Sequence, residues 1–420
     1  MKKIYRRSHH KIHLTKSKQV KLNLLFAQYK SYVQTLIDFI WDKGHKEFNV
    51  KEDELQLPKF LDVSFLSQFP TELGGMLRQN AGLKALQMLK SSTEKQRKRL
   101  YVLGKLKEKE KPDEKEINRL IKAIKKNKPL KPNLNNLVIE ISRPDVVKDI
   151  KPSKHFHEFL KLSFAGNVGT IKIPYNFHKH SRDLELKGAK RISSAIRIYE
   201  DKTIDLIWEL EQKETNGTKI VGCDQGKITC ASMSDGQFTV MNKHGQDLNT
   251  ILHKLSKKKK GSINFSKAQE HRKNYVNWSI NQLNFDDVKE INFERVKNLR
   301  KFKRTNRLMQ AWKYTLIKKK LKSVSEEKGF QFNEVHNKFR SQRCYSCGYV
   351  NKGNRKKSLF KCKHCSYESD ADLNAALNLS LKLEKVPEKV FHQKLNRKSG
   401  FFWMMGGVYD ARENIIPLTK

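Results

Sequence analysis

Apolar side chains recur at three- and four-residue steps through much of residues 16 to 132. Leu24, Leu25, Tyr29, Tyr32, Leu36 and Ile40 line one face of VKLNLLFAQYKSYVQTLIDFIW, a period that predicts an amphipathic helix. A second helix is predicted in ELGGMLRQNAGLKALQMLKSS, then a pair of highly charged helices broken near Pro112 in KQRKRLYVLGKLKEKEKPDEKEINRLIKAIKKNKPLKP. Residues 1 to 15 alternate instead and read as one strand. From about Asn133 to Gly217 the texture changes to short β-like runs, LVIEIS, FLKLSF, TIKIPY, AIRIY and TIDLIWELE, separated by Gly, Asn, Asp and Lys turns. Together these predict a small β-barrel or sandwich that takes in the N-terminal strand and carries the helical segment as an insertion.

Beyond Gly217 strands and helices alternate. TKIVGCDQGKITCASMSDGQFTV predicts a strand ending at Asp224, a turn and a second strand. HKLSKKKKGSINFSKAQEHRKNYVNWSINQL follows as basic helix, and DVKEINFERVKNL as a strand ending at Glu294. NRLMQAWKYTLIKKKLKSVSEEKG predicts an amphipathic helix with Leu308, Trp312 and Leu316 in register and Gly329 as its stop, before the strand FQFNEV. That alternation is the signature of an α/β domain.

Charge changes the picture most. Lys and Arg number 87 against 44 Asp and Glu, a net +43 over 420 residues, and the excess runs the whole length of the chain. Such a field calls for a polyanion, and nucleic acid is the natural one because neutralised phosphates release counterions. The length suits roughly two to four domains at about 100–200 residues each. The basic N-terminus has no secretory apolar stretch, and no run of about 18 apolar residues is long enough to span a bilayer, so a cytosolic protein without a membrane partner is expected. In a reducing compartment paired cysteines hold metal more often than disulfides.

Four of the six cysteines, Cys344, Cys347, Cys362 and Cys365, form C-x2-C, a 14-residue spacer and C-x2-C. Two such knuckles place four thiolates around a tetrahedral ion, and Zn²⁺ is the usual occupant of a closed Cys₄ site. With every position filled by protein, that zinc is structural. Its basic spacer GYVNKGNRKKSLFK is expected to touch phosphate as well. Cys223 and Cys230 stand apart and are expected to pack as small buried hydrophobes. A second constellation is dispersed: Asp224 and Glu294 at predicted strand ends and Asp372 opening the helix LNAALNLSLKL. Each acid taken singly also suits a turn or a helix cap, Asp372 above all. Brought together, they offer the oxygen ligands that two Mg²⁺ ions about 3.5–4 Å apart need for phosphodiester cleavage.

The stretches IVGCDQGKITCASMSDG, KEINFERVKNL and RSQRCYSCG…FKCKHCSYESDADLNAALNL resemble the three RuvC-type motifs and embedded zinc ribbon of the TnpB family of transposon-encoded RNA-guided nucleases, and of its compact type V-F CRISPR relatives. The resemblance covers roughly residues 218 to 382. It implies an α/β RuvC-like (RNase H-like) nuclease domain at 218–340 and 370–390, interrupted by a zinc ribbon at 341–369. It also implies a β-rich wedge domain at 1–15 and 136–217 around a helical recognition lobe at 16–135, with a C-terminal tail at 391–420. By the same resemblance Asp224, Glu294 and Asp372 are the metal-binding acids, the D-x-N-A-A pattern selecting Asp372 over Asp370, and Arg343 stabilises charge at the scissile phosphate. The implied activity is RNA-guided, Mg²⁺-dependent cleavage of DNA beside a short flanking motif. Guide RNA and target DNA are the implied partners, in the prokaryotic cytosol, with one copy or a homodimer on one guide RNA. The competing class is a guide-directed or zinc-ribbon DNA-binding regulator without cleavage, and the presence of all three acids weighs against it. A cut-and-paste transposase is disfavoured because nothing upstream resembles a separate site-specific DNA-binding module. Two features depart from the family: Phe339 and Arg340 stand in HNKFRSQRC where relatives typically show Tyr-Thr, and the tail KSGFFWMMGGVYDARENIIPLTK has no counterpart. Phe401, Phe402 and Trp403 of that tail are expected to pack on the core rather than stack on bases.

Overall fold

A computed structural model describes residues 3–47, 57–108, 110, 113–135, 137–141, 147–150, 154–164, 168–296, 306–387, 390 and 399–410. The chain divides into two compact units, Lys3–Glu211 and Gln212–Lys420. Among the described residues no helix is long and apolar enough to cross a membrane.

The first unit begins with strand β1 (Lys3–Lys11) and the helices α1 (Lys16–Glu47), α2 (Val63–Ser67), α3 (Gly75–Lys107) and α4 (Glu114–Lys126). Then come β2 (Val138–Ile141), β3 (Val147–Ile150), β4 (Glu158–Ser163), β5 (Thr170–Tyr175), α5 (Lys179–Leu186), β6 (Lys190–Tyr199) and β7 (Thr203–Glu211). Two antiparallel sheets, ordered β1-β7-β6-β2 and β3-β4-β5, share one core with α1 and α3, and a single bridge, Ile12 to Tyr175, joins their edges. The stripe of α1 runs through Leu22, Leu25, Phe26, Tyr29, Val33, Leu36 and Ile37, whereas Leu24 turns outward at 38% exposure. The two helices expected on either side of residue 92 are one. Within α3, Thr93 donates to the Leu89 carbonyl at 2.9 Å and Gln96 to that of Ile124 at 3.2 Å, so its polar turn is satisfied without a break. The charged pair does separate between Lys107 and Glu114, where Asp113 caps α4, and Pro112 lies outside the described residues.

The second unit opens with β8 (Lys219–Asp224), β9 (Ser232–Met233), α6 (Leu248–Ser256), α7 (Ile263–Asn281) and β10 (Val288–Arg295), followed by α8 (Arg307–Ala311), α9 (Thr315–Lys328) and β11 (Gln331–His336). Its sheet has the order β11-β10-β8-β9, with β8, β10 and β11 parallel and β9 antiparallel. Cys223 and Cys230 are fully buried in its core, as expected of small hydrophobes. The helix expected through Leu308, Trp312 and Leu316 is interrupted: Trp312 is extended at ψ 109, and the buried Arg272 guanidinium takes the carbonyl of Ala311 freed there. The basic helix predicted after β9 is likewise two, α6 and α7.

Four short strands, β12 (Tyr349–Val350), β13 (Arg355–Lys356), β14 (Leu359–Lys361) and β15 (Glu368–Asp370), carry the cysteines and lead without a linker into α10 (Ala371–Ser380). The tail returns as the hairpin β16 (Phe401–Met404) and β17 (Gly407–Tyr409), with β16 pairing antiparallel to β12. Alternation along β16 buries Phe401 and Trp403, as expected, against Phe339, Val350 and Val408. Phe402 points the other way, 5.1 Å from the Tyr349 ring and 4.9 Å from that of His364.

Helix α10 lies on β8 backbone to backbone. A Cβ at Gly222 would stand 1.9 Å from the Ala376 carbonyl oxygen and 2.5 Å from the Ser380 nitrogen, so only glycine permits the approach. Gly222→Ala is expected to lift α10 from the sheet at a cost of about 3 kcal/mol. Denaturant unfolding checks this, since a midpoint equal to wild type would show that the helix has room to yield.

Candidate metal centres

The parallel register sets Phe293 beside Cys223, so the next residues, Glu294 and Asp224, emerge side by side at the same edge of the sheet. Helix α10, held against β8, brings its first turn to that edge and with it Asp372. The structure thus gathers the three acids predicted from the sequence, and all are partly exposed. It also separates the two aspartates of the third motif. Asp370 is the helix cap, accepting from the Asp372 and Leu373 amides at 2.9 and 3.0 Å, whereas the Asp372 carboxylate is free of that duty. Asp372 instead accepts a 2.7 Å hydrogen bond from Arg355, which sits on β13 between the two knuckles.

The electrostatics follow from this crowding. Loss of water, then the Glu294 and Asp372 charges, hold the Asp224 carboxyl well above the usual carboxylate range, against the pull of Arg355. Burial pushes Glu294 up to about 7, although Asn337, the backbone and side-chain amides of Gln225, and Arg355 oppose it. Asn337 donates to Glu294 at 3.3 Å and so fixes the rotamer of that carboxylate. Beside them Gln225 is only 5% exposed; its side-chain amide turns toward Glu294, while its oxygen has no hydrogen-bond partner. Carboxylates pressed together with an orphaned amide oxygen nearby fit a hard divalent cation, which takes oxygen ligands and offsets like charge.

Arg343 is internal to the ribbon. Arg343 is 4% exposed and spends its donors on structure, to the Trp403 carbonyl at 2.7 Å, the Cys344 carbonyl at 3.1 Å and the Asn378 side chain at 2.6 Å. Arg355 is the cation hydrogen-bonded to Asp372. Arg340 is likewise internal, bonding the His336 and Asn378 carbonyls and lying 5.2 Å over the Trp403 ring. Sequence reasoning also missed Asn374 and Asn378, four residues apart on the inner face of α10. Both donate to the Arg343 carbonyl, at 2.9 and 2.8 Å, and Asn374 accepts from the Tyr345 amide at 3.1 Å, which locks the helix to the first knuckle. A pair of asparagines at helical spacing inside an otherwise apolar stretch was the available signal.

The four cysteine sulfurs lie within 4.8 Å of one another, and among the described residues no other group of three or more Cys, His, Asp or Glu does so. The three carboxylates therefore form a more open arrangement than the thiols. Cys344 and Cys365 are 3.7 Å apart and Cys347 and Cys362 3.6 Å, far longer than a disulfide but close to the ~3.8 Å edge of a tetrahedron with Zn–S bonds of about 2.3 Å. Burial pushes the Cys344 thiol up to about 11, so a cation is needed to hold that cysteine as a thiolate, whereas at Cys365 burial is outweighed by hydrogen bonds from the Tyr367 amide and the other cysteines, which bring it down to about 7. Gly348 makes the first knuckle turn at φ +77, where a Cβ would meet the Met404 sulfur and the Trp403 carbonyl. The amides of His364 and Cys365 point at the Cys362 sulfur at 3.4 and 3.5 Å. Thiolate donors in this geometry fit Zn²⁺.

By fold and site, then, the second unit is an α/β domain whose last helix is locked to an embedded four-cysteine ribbon beside a carboxylate cluster. Residues 314–379 match the family model described as Cas12f1-like, TNB domain. The chain is 32% identical over 119 residues to the CRISPR-associated endodeoxyribonuclease Cas12f1 of Sulfoacidibacillus thermotolerans, covering 28% of this chain and 27% of that protein. It is 36% identical over 95 residues to a TnpB-like protein of Aquifex aeolicus, covering 20% and 30% respectively. The chain therefore spans about a third or less of these relatives' length. A solved Cas12f1–sgRNA–target DNA complex aligns over 90% of this chain and 99% of that one, at 14% identity and a TM-score of 0.46.

A pH dependence follows from Glu294. A carboxyl raised in the folded state binds its proton where the unfolded chain has lost it, so its contribution to stability falls as pH climbs from about 4.5 to about 7. In buffer without divalent cations, Glu294→Gln should gain on wild type across that window by about 3 °C or more, the shift expected of roughly 1 kcal/mol. Added Mg²⁺ should narrow the gap above pH 7. Melting curves that keep a constant offset at every pH would contradict the electrostatic account.

Proposed function

We propose that the chain is an RNA-guided DNA endonuclease that cleaves phosphodiester bonds by two-metal-ion hydrolysis in a RuvC-like site. The observation that carries this reading is the convergence of Asp224, Glu294 and Asp372 at one sheet edge with Arg355 against Asp372. Asp224, Glu294 and Asp372 would hold two Mg²⁺ ions, which when bound supply a nucleophilic water at neutral pH and neutralise the leaving oxygen. The chain's own groups do the rest. Asn337 orients Glu294, Arg355 orients Asp372 and offers its remaining N–H groups to the scissile phosphate, and the partial exposure of the acids admits a strand. The ribbon, with its structural Zn²⁺ on Cys344, Cys347, Cys362 and Cys365, keeps Arg355 and α10 in register and adds lysines for the target backbone.

In this reading the β-rich part of the first unit is a wedge domain, residues 16–135 are a recognition lobe, and both grip guide RNA through their lysines while a short motif is read beside the target. A net charge of +43 and relatives named as CRISPR-associated endodeoxyribonucleases support nucleic-acid partners.

Protein expressed with its native flanking DNA is expected to co-purify with one discrete small RNA. With that RNA and a complementary target, Asp224→Ala, Glu294→Ala and Asp372→Ala should each lower cleavage on the order of a thousandfold or more while leaving guide-directed binding intact. Arg355→Ala should cost roughly a hundredfold, whereas Asp370→Asn, which keeps the cap, should cut nearly like wild type. Equal cutting by all of these variants, or only heterogeneous RNA removed by moderate salt, would overturn the proposal.

A further inference from the structure

One cavity of about 230 Å³ is bordered by Glu294 and lined among others by Gln225, Tyr314, Thr315, Lys318 and Glu334. Its shape comes from the break between α8 and α9. Had the helix run on through Trp312, Tyr314 and Thr315 would not stand at a helix start facing Glu294. Cation binding explains Glu294 and gives the Gln225 oxygen a partner, and one N–H of the Gln225 amide faces Glu294, which leaves its second N–H for a ligand in the cavity. Across the cavity Lys318 is ion-paired with Glu334, each side chain about a third exposed, at 37% and 33%. The Tyr314 ring is partly exposed and has its edge set against Trp312, with centroids 6.1 Å apart. An N–H donor, a hydroxyl, an aromatic face and an ammonium ion around one cavity are the groups that recognise a nucleotide, and none reads a particular base.

We infer that this cavity is a nucleotide subsite for the strand being cut. It seats the nucleotide adjoining the scissile phosphate, with the base against Tyr314, a phosphate oxygen on Lys318 and a sugar or phosphate oxygen on the Gln225 amide. Substrate phosphate displaces Glu334 from Lys318, so Glu334 weakens binding until a correctly placed phosphate replaces it. Tyr314, Lys318 and Gln225 are positioning residues, and the ligand class is a single-stranded polynucleotide bound without sequence preference. The inference rests on the nuclease reading but can fail separately from it.

The test uses the full chain with its co-purified RNA and a complementary DNA carrying 2-aminopurine at successive positions around the cut, with Ca²⁺ replacing Mg²⁺ so that binding is read without cleavage. Fluorescence should be quenched at a position adjoining the cut in wild type and recover in Tyr314→Leu. In Mg²⁺, Lys318→Met should raise the half-saturating DNA concentration about fivefold to tenfold and reduce the salt slope by about one. Glu334→Gln should lower that concentration, a gain that misfolding cannot produce, and the gain should vanish when combined with Lys318→Met. Quenching unaffected by Tyr314→Leu, or half-saturation unmoved by both charge variants, would overturn the subsite. Cleavage by the wild-type complex reports separately on the nuclease reading.

Discussion

Three carboxylates cannot be held side by side without a counter-charge, and the second unit is arranged around that constraint. Register sets Asp224 beside Glu294, the contact at Gly222 presses α10 and Asp372 onto the same edge, and loss of water raises both strand-end carboxyls, with the Glu294 and Asp372 charges adding to the rise at Asp224. Within the chain the compensation comes from Arg355, which reaches Asp372 from a strand of the ribbon. A group that repels itself in the protein alone is poised for divalent cations, whose attraction to clustered oxygens grows with the crowding that destabilises them.

A four-cysteine ribbon sits directly against the last acid for the same reason. The ribbon delivers the arginine, and its first knuckle is the surface on which α10 is indexed through Asn374 and Asn378. Arg343 is the hub, bonding the tail, the knuckle and the helix at once. The tail hairpin extends the knuckle strand by a sheet pairing, and Phe339 and Arg340 pack on Phe401 and Trp403. Phe339 and Arg340, just before the first cysteine, are thus the seat of the tail hairpin.

What could be read from the chain divides along physical lines. Cysteine spacing is local and rigid, so the ribbon ligands are legible directly, and strands that end at an acid point to Asp224 and Glu294 because a parallel sheet aligns its ends. Asp370 and Asp372 both suit a helix start, and hydrogen bonds give the cap to Asp370. Arg355 was hidden among the lysines and arginines of a basic spacer, where no pattern distinguishes the cation that faces the acids. Arg343 drew attention by standing beside a cysteine, but burial turns it inward. The break at Trp312 and the continuity of α3 were missed because both depend on partners distant in sequence, Arg272 for the first and Ile124 for the second.

The four-cysteine ribbon positions the carboxylate cluster, so loss of the ribbon's metal should disturb cation binding at the acids. The direct measurement is Mn²⁺ binding followed by electron paramagnetic resonance on RNA-free, full-length protein, with zinc content determined on the same samples. Wild type should carry about one zinc per chain and hold Mn²⁺ at sites that Asp372→Asn removes. Cys362→Ser, although it changes no carboxylate, should lose the zinc and the same Mn²⁺ sites together. A zinc-free Cys362→Ser protein that binds Mn²⁺ like wild type would contradict the account.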